Sequence, residues 1–127
     1  MSIPVNFKVR AAPNFMACLH AARGFMVEQD ARSAPGRFAK LQAELVKARA
    51  LLSFASSSGR PARFRDAKTG WGQFQSHQAV QLARAIGMPE LRELVLARHV
   101  VLYAHSEQDV LLLSLCHERQ LGYPLRE

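Results

Sequence analysis

Near its end the chain carries two short apolar runs, Val100 to His105 and Val110 to His117, parted by the polar stretch Ser106-Glu107-Gln108-Asp109. Apolar runs of this length joined by so short a polar connection predict a β-hairpin. Leu111-Leu112-Leu113 has no polar alternation, so the strand containing it is expected to be central and covered on both faces. Residues 91–97 add a further strand, with Leu91, Glu93 and Val95 alternating against Arg92, Leu94 and Leu96. A sheet of this kind needs a covering layer, and the first half of the chain supplies it.

Val5, Phe7 and Val9 alternate with Asn6, Lys8 and Arg10, the period of a half-buried strand that ends at Pro13. Asn14 is placed to cap a helix by accepting a backbone N–H, and Phe15, Leu19, Ala22 and Met26 then recur at helical spacing. A turn over residues 30–36 leads to a longer helix lined by Phe38, Leu41, Leu45, Ala48 and Leu52, stopped by Ser56-Ser57-Ser58-Gly59. Residues 59–75 read as a long exposed connection holding Trp71 and Phe74. A third, shorter helix is expected from Ser76 to about Ile86, with Gly87 as its stop. The order β-α-α-(α)-β-β-β describes an α+β fold, a helical hairpin packed on a small antiparallel sheet.

The 127 residues suit one domain, and a hydrophobic share of 49% supports a packed core. The cysteines Cys18 and Cys116 both sit in apolar runs, which suits reduced core thiols and offers neither a disulfide framework nor metal spacing. No apolar stretch is long enough to cross a bilayer and no charged, then apolar, leader opens the chain, so a cytoplasmic protein without cofactor or metal is expected.

The net charge of +7 is regional. Nine basic residues lie between Arg32 and Lys68 against only Glu44 and Asp66, while the rest of the chain is balanced. Such a patch calls for an anionic partner, nucleic acid or an acidic protein segment, although a solvated face would carry the same charge.

The closing segments resemble the RelE/ParE superfamily of toxins from toxin–antitoxin pairs. Leu91-Arg92-Glu93-Leu94-Val95-Leu96, then His99-Val100-Val101-Leu102-Tyr103, then the run from Asp109 through His117-Glu118-Arg119 is similar to that family's successive closing strands. Gly59-Arg60-Pro61 after the helical hairpin resembles the turn common in ParE-type members, and residues 66–87 look like an insertion. The resemblance implies a toxin neutralised by a cognate antitoxin. ParE-type members inhibit DNA gyrase; RelE-type members cleave messenger RNA on the ribosome. A non-toxic nucleic-acid-binding or interaction domain on the same fold is the third reading, and a homodimer is left open.

Where the family has a central-strand arginine this chain has Val100, which removes a phosphate clamp and favours the ParE-like reading. Arg98, His117, Arg119 and Tyr123 are the residues that would still converge for RNA cleavage, with His117 and Arg119 on one face if the strand continues that far. Each has a structural alternative, His117 and His99 as hydrogen-bonding strand residues and Arg119 as a solvated strand-end charge. For partner binding the candidates are Arg37, Lys40, Arg60, Arg63, Arg65, Arg92, Tyr103 and Arg119.

Overall fold

A computed structural model describes residues 8–62, 81, 87–88 and 90–118. Strand β1 (Lys8–Ala11) leads into helix α1 (Pro13–Gln29), and a short turn connects α1 to helix α2 (Ala34–Phe54). A 3₁₀ turn at Ser56–Ser58 precedes the two-residue strand β2 (Arg60–Pro61). Strands β3 (Glu90–Val95), β4 (His99–His105) and β5 (Asp109–His117) complete the sheet. Residues 5–7 of the expected first strand, Trp71, Phe74 and the expected helix at 76–86 lie outside the described residues, apart from Gln81.

Both helices begin with a proline in their first turn, where its missing N–H costs nothing. Neither has a side-chain cap. The expected cap residue, Asn14, instead donates from Nδ2 to the Leu113 carbonyl at 2.9 Å and pins α1 to β5. Arg37 clasps the helix pair, donating to Met26 O at 2.8 Å, Gln29 Oε1 at 2.9 Å and Ser33 Oγ at 3.0 Å. The Arg23 guanidinium lies 5.5 Å from the centre of the Phe38 ring, a further contact from α1 to α2.

The strand order is β1-β5-β4-β3-β2. β3, β4 and β5 form an antiparallel meander, and β2 pairs antiparallel with β3. β1 pairs with β5 in parallel, Lys8 beside Asp109 and Ala11 beside Leu112, so the sheet is mixed rather than antiparallel. A period-2 pattern marks a strand but carries no information on the direction of its neighbour; the helical pair between β1 and the meander sets it. Gly59-Arg60-Pro61, read as a turn, runs into an edge strand, where proline is tolerated because no outer ladder needs its N–H.

Two apolar layers enclose the sheet. On the helical side Phe15, Cys18, Met26, Ala34 and Leu41 pack on Val101 and Leu115. On the opposite side Ala62 and Met88 join Leu91, Val100, Leu102, Ala104, Leu113 and Cys116. Every residue of β4 is buried, so β4 is the strand covered on both faces. The expectation for Leu111-Leu112-Leu113 is corrected in part: β5 is paired on both edges, but Leu111 and Leu112 are only half-buried. β5 lies next to the short edge strand β1, and its register with β4 shifts at Leu102 and Tyr103. Near this irregularity Ser114 Oγ comes within 3.6 Å of Cys18 Sγ; both cysteines are buried and neither is in a disulfide. Among the described residues no helix is long and apolar enough to cross a membrane.

Candidate functional site

Of the residues singled out in the sequence, the described ones other than Arg37 and Lys40 fall into two groups, one at each end of the central strands. At the first, Tyr103 on β4 is completely buried (0% exposed). Its hydroxyl donates to the Ser56 carbonyl at 2.6 Å and accepts the Gly59 N–H at 2.9 Å. Arg92, its neighbour across β3 and β4, donates from Nη1 to the Gly59 carbonyl at 2.9 Å and from Nε to His105 Nε2 at 3.1 Å. Since Arg92 only donates, His105 Nε2 accepts, which assigns the ring proton to Nδ1 facing the Ser106 carbonyl at 3.2 Å. Arg60 reaches the buried Glu93 at 3.2 Å, its register partner on β3.

Gly59 is the point on which these groups converge. A Cβ there would lie 2.5 Å from the Glu93 carbonyl oxygen and 2.6 Å from the Tyr103 hydroxyl, so no larger residue fits. Burial pushes the Tyr103 phenol above its ordinary value of 10, against the opposing pull of the Gly59 N–H and Arg92, so it stays protonated at neutral pH. Arg92 and Tyr103, expected to meet a partner, form an internal brace that holds the exit of α2 on the sheet, while Arg60 pairs with Glu93 and stays partly exposed. For Tyr103 this is a correction, because its side chain has no surface. The packed reading of a strand aromatic is the one the structure shows: the exit of α2 closes over it and removes it from solvent. Arg37 likewise spends its donors on the end of α1 and on Ser33 before α2, while Lys40 is exposed. Arg63, Arg65, Arg119 and Tyr123 lie outside the described residues.

At the second end His99 on β4 faces His117 on β5 as its register partner. The rings meet edge to face with centroids 5.1 Å apart. Arg98, in the turn before β4, accepts the Glu118 N–H through its carbonyl at 2.9 Å, and its guanidinium lies 3.8 Å from the Glu118 carboxylate. Glu44 on α2 accepts the Ala97 N–H at 3.0 Å and ties the helix to the same turn. Burial first, and His117 second, pull His99 below the ordinary 6.5, while Glu44 and Glu118 oppose them. His99 is therefore a neutral, sheltered imidazole beside the less buried His117.

Arg98 and His117 thus lie at the same end of the sheet, with His99 paired to His117 and Arg98 paired to Glu118. Glu44, Glu93, Ser56 and Gly59 went unrecognised as parts of either end. Two of them leave a trace in the sequence: Glu44 is the sole acid in α2, and Glu93 is a charge placed on the Leu91 face of its strand. Among the described residues no cluster of histidine, cysteine or carboxylate side chains is arranged to hold a metal. No family model matches the chain, and no curated protein does.

Proposed function

We propose that this chain is the toxin of a toxin–antitoxin pair, acting in the cytoplasm as a ParE-like inhibitor of DNA gyrase and neutralised by a cognate antitoxin. The observation that carries this reading is the setting of Val100. It stands where the family resemblance expects the arginine of the central strand, and it is buried with Leu91, Leu102 and Cys116 in the apolar layer away from the helices. An apolar side chain packed at that place cannot neutralise a phosphate, a task central to RNA cleavage. A toxin that works by binding needs no such group. The helical hairpin on one face of a β3-β4-β5 meander agrees with the same reading.

The second reading, a ribosome-dependent RNA endonuclease, is favoured by one observation: the His99–His117 pair beside Arg98. Pulse-labelling of DNA and protein synthesis just after induced expression separates the two. An early fall in DNA synthesis supports gyrase inhibition. An early fall in protein synthesis moves the assignment to RNA cleavage. If neither falls while the folded protein accumulates, the toxin reading fails and a non-toxic binding domain takes its place.

A further inference from the structure

Helix α2 is amphipathic twice over. One side buries Leu41, Ala48 and Leu52 in the protein's own core. The other side is exposed and carries a second apolar stripe: Ala39, Ala43, Val46 and Ala50, with Phe54 one turn further on. Val46 and Phe54 are 69% and 68% exposed, unusual for large apolar side chains on a helix that already has a core face.

The spacing of the stripe is that of a coiled-coil seam. Ala39 and Val46 take d positions and Ala43 and Ala50 take a positions, alternating by four and three residues. Lys40 and Lys47 then fall at e, and Gln42 and Arg49 at g, all exposed. These flanking places choose the partner of a helical seam. Here every charge is positive, so a second copy laid on the seam would set lysine against arginine or lysine. Glu44, the only acid in α2, points its carboxylate to the Ala97 N–H instead. Three alanines in the seam also let another helix backbone come close, and Val46 supplies the knob between them.

We propose that this outer face of α2 is a docking seam for an acidic amphipathic helix of another polypeptide, with glutamate or aspartate opposite Lys40, Lys47 and Arg49. The seam spans about two heptads, and Lys40 and Lys47 lie about 10 Å apart along the axis, so acids spaced seven residues apart would match them. This goes beyond the toxin reading and holds whichever target the chain attacks. It also shifts the expected partner contacts from Arg37 and Arg60, which are engaged internally, to Lys40 and Lys47.

The test uses the full chain and two synthetic helical peptides with the same leucine seam, one with glutamate at its e and g places and one with lysine. The acidic peptide should bind, more weakly as salt rises, and the basic one should not. Val46→Glu should cut that binding roughly tenfold or more, and the double reversal Lys40→Glu with Lys47→Glu should transfer preference to the basic peptide. Circular dichroism of each variant checks that these surface changes leave the fold intact. Equal binding of both peptides, no binding of the acidic one, or self-pairing of the chain through this face in sedimentation would overturn the proposal. None of these outcomes alters the labelling experiment, so the two readings fail separately.

Discussion

The amide of Gly59 donates its hydrogen bond to the hydroxyl of Tyr103, 2.9 Å away and 44 residues later in the chain. The same hydroxyl donates to Ser56, so one phenol closes both sides of the α2 exit. Tyr103→Phe strands a buried N–H and a carbonyl and is expected to cost about 1–3 kcal/mol. Urea denaturation measures this; a loss within error of zero would show the brace to be idle.

Gly59→Ala tests the close approach of this backbone to Glu93 and to the Tyr103 hydroxyl. The new Cβ would press on the Glu93 backbone, which cannot swing aside as a side chain tip can. Destabilisation of about 1–3 kcal/mol is expected, with β2 displaced from β3. Retention of the wild-type urea midpoint would contradict this.

Arg37→Ala should lower stability by about 1–2 kcal/mol by removing the clasp between α1 and α2. Lys40→Ala, on the exposed face of the same helix, should leave stability within about 0.5 kcal/mol. Thermal unfolding of the two variants compares them directly. Equal effects would refute the division of these cations into internal and external ones.

The His99 imidazole is held below 6.5 by burial and by His117. Between 6.5 and the lower folded value, the unfolded chain binds a proton that the folded chain does not. Its contribution is thus fully present above pH 6.5 and is lost as pH falls through the folded value. Urea midpoints taken from pH 8 to pH 5 should decline at the acid end, and His99→Gln should flatten that decline. An unchanged slope in the variant would remove His99 as its source.

Leu102→Ala, in the fully covered strand, is expected to cost about 2–5 kcal/mol. Leu111→Ala, at a half-buried place on β5, should cost less than about 2 kcal/mol. The reverse ranking in chemical denaturation would return the centre of the sheet to β5.

Local periodicity alone determined much of this protein. The hairpin of β4 and β5, the strand before it and the apolar faces of α1 and α2 follow from side-chain spacing, because periods of 2 and 3.6 are properties of the backbone itself. The regional charge was legible too. What only the tertiary structure decided is which partner each polar group meets. Whether β1 runs parallel or antiparallel to its neighbour depends on the path of the helices, which no local pattern encodes. Arg92 reads as a strand-end charge until the exit of α2 folds over it, Tyr103 finds its hydrogen-bond partners only there, and His99 becomes half of a pair only when β4 and β5 align. Glu93 sits beside Arg60 through a contact spanning 33 residues. Contacts between residues so distant in the chain depend on how whole elements pack, and the spacing of neighbours along the chain does not record it.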